Sequence, residues 1–279
     1  MTGEDVRYVK DRLVVLGYLA KATHNRYGND TWRAVKAFQA ANGLEIDGVV
    51  GPLTWSALFA DQPQPVPSVD VPGWIAEPAR TEIAHALATV SAKRRQICLM
   101  ALKYCVDYRS KPSILKGFYI RGGNLVNKDL SVNVMTESKL ASYFRKSQYE
   151  PYYDSGRREM MLRMAQESGY TIVGADCSGY IVGLWRAAGV VSSGFDANAN
   201  SLFSSYCVER SAGDILPGDL AWKSGHIAIC CSKNWVVESG GGAYGVQLSK
   251  RTDRRLMDFR SGKIVKMGKW TGYGDPKVY

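Results

Sequence analysis

Apolar residues open the chain at helical spacing: Val6, Val9, Leu13 and Leu16 fall on one face. Trp32, Val35 and Phe38 repeat the pattern after the polar start Asn29-Asp30-Thr31. Gly51-Pro52 then introduces a third short helix carrying Trp55, Leu58 and Phe59. Proline suits a first helical turn, where its missing N–H leaves no bond unmade. Residues 1–60 are therefore expected to form three helices. From Asp61 to Pro72 the setting is polar and holds Pro63, Pro65, Pro67 and Pro72. Such a stretch favours an extended, semi-rigid spacer, and the boundary between two domains is expected at 61–80. Helical spacing returns between Thr81 and Arg109, with Ile83, Leu87, Val90, Ile97, Ala101 and Tyr104 near one stripe.

Further on the period shortens. Ile227-Ala228-Ile229-Cys230-Cys231 reads as a buried strand, Ser232-Lys233-Asn234 as a turn, and Trp235-Val236-Val237-Glu238 as the returning strand of a hairpin. Before it, the run from Tyr180 to Trp185 reads as a helix entered at Asp176 and stopped by Gly189.

The length of 279 residues suits two domains, and 46% hydrophobic with 22% charged residues argues against disorder. The net charge of +10 attracts anionic partners, among which nucleic acid, anionic membranes and acidic wall polymers all qualify, and it also serves solubility alone. No stretch reaches the roughly 20 apolar residues of a membrane span. The N-terminus lacks a basic start followed by an apolar run, so no secretory signal is expected. The six cysteines are spread through a long chain, which does not fit the disulfide framework of small secreted domains. Five of them, Cys98, Cys105, Cys207, Cys230 and Cys231, read as small buried hydrophobes.

Cys177 differs, because it opens the helix entered at Asp176. Unpaired N–H groups and the positive dipole end there favour thiolate over thiol, and cysteines so placed beside a basic partner have pKa values lowered to about 3.5–7.5. Three histidines can serve as that partner. His24 sits in a polar loop, and His85 lies on a helix beside Ala84 and Ala86. His226 stands at the mouth of the core strand, where it is well held and can meet a cysteine on a packed helix. If the strands pair about the 232–234 turn, Glu238 comes near His226, directly across or diagonally, and accepts its second imidazole N–H.

Two resemblances follow from these residues. Asp47-Gly48-Val49-Val50-Gly51-Pro52-Leu53-Thr54-Trp55, with Thr31, Ala34-Val35, Phe38-Gln39 and Gly43-Leu44 before it, resembles the three-helix peptidoglycan-binding domain. Asp176-Cys177-Ser178-Gly179, Leu216-Pro217-Gly218-Asp219-Leu220 and Gly225-His226-Ile227-Ala228-Ile229 resemble the "DCSG", "LxPGDL" and "GHVGI" segments of the NlpC-type cell-wall cysteine peptidases. That resemblance implies an α+β, papain-like fold over 81–279, with a cysteine helix on an antiparallel sheet. It implies Cys177 as nucleophile, His226 as acid and base, and Glu238 as the third catalytic group. The family's "Y.wGG" segment, whose tyrosine helps hold the oxyanion, has its best match in Tyr119-Ile120-Arg121-Gly122-Gly123. Tyr119 lies 58 residues before Cys177, farther than the family pattern. The intervening 124–172, with Tyr143, Phe144, Tyr149, Tyr152 and Tyr153, reads as an insertion.

The resemblance implies cleavage of the stem peptide between γ-D-glutamate and the diamino acid through a thioester, with no metal or cofactor. An N-acetylmuramoyl-L-alanine amidase and a non-catalytic wall-binding protein are the alternatives. The implied partner is bacterial peptidoglycan, with anionic wall polymers besides, and neither nucleic acid nor membrane insertion. A wall hydrolase without a leader segment resembles a phage or prophage endolysin, made in the cytoplasm and released by a holin. The basic tail from Arg251 to Tyr279 matches neither pattern and is expected to be a last strand or a wall contact.

Overall fold

The computed structural model describes residues 3–59, 69–112, 114–146, 153–167 and 171–279. The chain separates into two compact units, Met1–Val66 and Pro67–Tyr279. The first unit holds α1 (Glu4–Val15), α2 (Asn29–Ala41) and α3 (Pro52–Leu58). Val9, Leu13, Val35, Phe38, Leu58 and Phe59 close its core. Trp32 departs from the stripe assigned to it: it is 42% exposed, with its ring against Gly48. Gln39 explains the Asp-Gly turn. Its amide donates to Asp47 Oδ1 (2.8 Å) and Val49 O (2.9 Å), and its carbonyl accepts the Gly48 N–H (2.8 Å). One buried side chain thus satisfies a loop that has no ladder of its own.

The second unit is α+β. Its first helices are α4 (Ala79–Ala88) and α5 (Ala92–Tyr104). The single stripe read from Thr81 to Arg109 is broken at Ser91, whose hydroxyl accepts the Arg94 N–H and caps α5. The expected linker at 61–80 also ends earlier. Residues 60–68, with Pro63, Pro65 and Pro67, lie outside the described residues. Val71, Ile75 and Ala79, however, are 5%, 1% and 0% exposed in the unit's main core. Proline content marked the spacer, and apolar burial ends it.

Beyond α5 come β1 (Gly117–Tyr119), α6 (Glu137–Phe144), α7 (Ser155–Glu167), β2 (Val173–Ala175), α8 (Cys177–Ala187) and α9 (Ala199–Tyr206). The remaining strands are β3 (Cys207–Glu209), β4 (Leu220–Lys223), β5 (His226–Cys230), β6 (Trp235–Ser239), β7 (Val246–Lys250), β8 (Arg255–Met257), β9 (Ile264–Lys266) and β10 (Gly272–Pro276). An antiparallel six-stranded sheet has the order β3-β10-β4-β5-β6-β7. Strand alternation divides its side chains. Ile227, Ile229, Val237 and Leu248 pack with Tyr180, Ile181, Leu184 and Trp185 of α8, whereas Ala228, Cys230 and Val236 pack with Trp270. The Pro217-Gly218-Asp219 turn locks β4 beside β5. Cys230 exchanges main-chain bonds with Gly218 and Asp219 (both 2.8 Å), and the Asp219 carboxylate takes Arg94 and Arg210 at 2.8 and 2.9 Å.

The tail expected to be a strand or wall contact supplies β10, which enters the sheet between β3 and β4. Residues 147–152, including Tyr149 and Tyr152 of the expected insertion, lie outside the described residues. The described part of that stretch carries α6 and α7 over a small core with Phe118, Leu140, Tyr153, Met161 and Phe259. All six cysteines are free and buried, Cys177 among them.

Candidate active site

Four strands and two helix starts converge where β2 runs into α8. β1 lies parallel to β2 with Tyr119 opposite Ala175, so the long excursion between Tyr119 and Cys177 returns to its starting point. Asp176 caps α8. Its Oδ1 accepts the Gly179 N–H (2.7 Å) and the Ser178 hydroxyl (3.0 Å), and its Oδ2 accepts the Gly122 N–H (2.8 Å). The Asp176 N–H donates to Gly123 O at 2.9 Å. Gly179 is required by proximity, since a Cβ there would stand 2.0 Å from Gly123 O. The Gly122-Gly123 pair and the glycine after Cys177 are therefore two sides of one contact.

His226 is the first residue of β5, and its Nε2 lies 2.8 Å from Glu238 Oε2. The register Ile229↔Val237, continued by one step, sets Glu238 opposite Ala228, so it meets His226 on the diagonal. Glu238 is fully buried. Burial pushes its carboxyl up, but hydrogen bonds from Arg254 and His226, with the charge of Arg254, outweigh this and hold it down to about 2. Arg254 bonds both carboxylate oxygens, through Nε at 2.7 Å and through Nη2, and Ser249 adds a bond at 3.1 Å. Trp270 stacks on His226 with ring centres 5.4 Å apart and planes 11° from parallel. The Arg254 guanidinium lies 4.5 Å from the same indole.

Cys177 is 8% exposed, and its thiol meets Gly225 O at 3.8 Å, beside the main chain that carries His226. The expectation of a lowered pKa is corrected here. Burial and then the Asp176 carboxylate raise the thiol to about 11, although the N–H groups of Ile227, Ser178 and Cys177 pull the other way. Burial is the larger cause, and the cap adds to it. Asp176 occupies an N–H that would otherwise favour thiolate, and it sets a negative charge at the dipole's positive end. Among the described residues the thiol's hydrogen-bond partner is Gly225 rather than the His226 ring. Since Nε2 is on Glu238, Nδ1 is the imidazole nitrogen left for the thiol's proton.

Cys177, Tyr119, Arg121, Asn198, Asn200 and Gly225 line a cleft of about 380 Å³. Tyr119 feels burial first and the nearby Cys177 second, and both raise its pKa, so its hydroxyl stays a donor at neutral pH. Asn200 holds the Gly225 turn by accepting its N–H at 2.9 Å and the Trp222 indole N–H at 3.1 Å. His85 stands on α4 and His24 in the first unit, and neither lines this cleft. Sequence reasoning did not find Asn200, Arg254 or Trp270. For Arg254 and Trp270 the only signal was the unexplained basic, Trp-bearing tail, and nothing in its spacing pointed to Glu238; Asn200 carried none.

Comparison with known proteins places the first unit. Residues 2–58 match the family model of the putative peptidoglycan-binding domain. Over 43 residues the chain is 44% identical to an uncharacterized protein in the bpoA1 3′ region of Kitasatospora aureofaciens, which covers 15% of this chain and 36% of that protein. No solved structure matches. The chain thus carries an N-terminal domain that matches the putative peptidoglycan-binding family, joined to an α+β unit holding the Cys177 cleft.

Proposed function

We propose that the protein is a peptidoglycan hydrolase, a papain-like cysteine endopeptidase of the NlpC type that cuts the stem peptide between γ-D-glutamate and the diamino acid. The observation that carries this reading is the Glu238–His226 hydrogen bond at the strand mouth against which Cys177 packs. The wall-binding unit supplies the substrate class.

The thiol is neutral at rest, so His226 Nδ1 takes its proton as Sγ attacks the carbonyl carbon. Glu238 holds the ring by Nε2 and stabilises the imidazolium that forms. Arg254 keeps Glu238 ionised and balances its charge. The Tyr119 hydroxyl and main-chain N–H groups at the start of α8 stabilise the oxyanion. The imidazolium then protonates the leaving amine, and the thioester is hydrolysed by water that His226 activates. No step uses a metal or cofactor.

A wall-binding unit joined to a wall-cutting unit suits an enzyme of bacterial lysis, such as a phage or prophage endolysin, which reaches the wall when a holin opens the membrane. Holin genes among its genomic neighbours test that part. The chemistry is tested by mass spectrometry of muropeptides from purified walls digested with the full chain. New amino groups on the diamino acid, with L-Ala-D-Glu left on the muramic acid, are expected. A new amino group on L-alanine makes the enzyme an amidase, and no release by the wild type sinks the hydrolase reading.

A further inference from the structure

The excursion between β1 and β2 builds more than a wall. A second cavity, of about 330 Å³, lies among residues of the excursion and Arg186 near the end of α8, and it shares Arg121 with the Cys177 cleft. Among the described residues its lining carries five cations, Arg121, Lys128, Lys139, Lys146 and Arg186, and no carboxylate. Like charges around one water-filled space repel each other, and an anion inside removes that cost.

Arg186 makes the charge intrinsic to the fold. It is 2% exposed, and its guanidinium donates to Val126 O (2.8 Å) and Phe195 O (2.6 and 3.0 Å). Those acceptors are neutral carbonyls, so the buried charge is held by hydrogen bonds without being cancelled. Lys139 leans on Asn133 Oδ1 at 2.5 Å, and the Asn133 amide is anchored on Gly174 O at 2.7 Å, two residues before Asp176. In a neighbouring cavity, which meets the basic one at Gly122 and Asn124, the sign reverses. A cavity of about 640 Å³ is lined by Asp176 and Asp196 and by no lysine or arginine among the described residues. Both cavities adjoin the Cys177 cleft, and they carry opposite charge.

We infer that the basic pocket is a subsite for a carboxylate of the peptide substrate, which it seats while the scissile carbonyl lies at Cys177. The inference rests on the hydrolase reading for its substrate, and its test reads binding, so that the two fail separately.

The full-length Cys177→Ala chain is titrated by calorimetry with two synthetic stem peptides, one with free carboxylates and one with the same carboxylates amidated. The acidic peptide should bind about 10-fold tighter at low salt, and added salt should shrink the difference because the lysines are exposed. Lys128→Gln with Lys146→Gln, both on the surface and so without risk to folding, should erase most of the preference and leave the amidated peptide unaffected. Equal binding of the two peptides, or a preference that survives the lysine changes, overturns the inference. A poly(glycerol phosphate) that binds with the same lysine dependence, while the peptides bind alike, assigns the pocket to wall-polymer phosphate and overturns it too. Failure of the wild-type chain to cut the acidic peptide counts against the hydrolase reading and leaves the binding result standing.

Discussion

Replacing Arg254 by methionine tests the electrostatic logic of the site more sharply than replacing the nucleophile. Glu238 is fully buried, and among the described residues Arg254 is its only cationic partner of fixed charge. Its carboxyl falls from 4.5 to about 2 on folding, which corresponds to about 3 kcal/mol of stability. Breaking a buried ion pair by removing one partner costs a similar amount, about 3–5 kcal/mol. The pH dependence carries the decisive sign. In the wild type this contribution is fully present above 4.5 and is lost as pH falls towards 2. In Arg254→Met burial dominates, the folded pKa rises above 4.5, and the contribution reverses. It is then present below 4.5 and lost as pH rises. Urea unfolding between pH 4 and 8 should show the mutant's deficit growing with pH, on the order of 3 kcal/mol at neutrality. Adding Glu238→Gln should recover about half of that loss, because the stranded charge is gone. A mutant deficit that is constant across this range, with no gain from the second change, refutes the reasoning.

Other substitutions probe the remaining parts. Alkylation of Cys177 by iodoacetamide should accelerate about tenfold per pH unit from neutrality towards 11, as expected of a thiol at about 11, and a plateau below pH 7 would mean a preformed thiolate. Tyr119→Phe should lower kcat on wall peptides about 10²–10³-fold with little change in unfolding midpoint, and unchanged kcat removes the tyrosine from the oxyanion site. Gly179→Ala pushes a methyl against Gly123 O and should cost about 1–3 kcal/mol in thermal unfolding, whereas a stability equal to wild type would show that the contact gives way freely. A fragment beginning at Pro67 should melt like the second unit of the full chain. One beginning at Thr81 loses the buried Val71 and Ile75, about 1.5–3 kcal/mol each, and should melt well below it, so equal melting points would show that 69–80 is dispensable.

What the residues alone determined is local. Helical spacing and the Pro52 start marked three helices in the first unit, and its Asp-Gly turn with Phe38-Gln39 identified a domain that the family comparison supports. The cap at Asp176, the stop at Gly189 and the hairpin about 232–234 are also short-range, because capping and turn chemistry act within a few residues. So the chain announced Cys177 at a helix start and His226 with Glu238 across a turn. Only the tertiary structure could bring Tyr119 back beside Cys177, since parallel pairing of β1 and β2 depends on how a long excursion packs. Only it could send the tail across the sheet to set Arg254 on Glu238 and Trp270 on His226. It also reversed the thiol's expected pKa. A helix dipole can be read from sequence, but burial and the direction of a neighbouring carboxylate belong to the folded surroundings, and there they outweigh it.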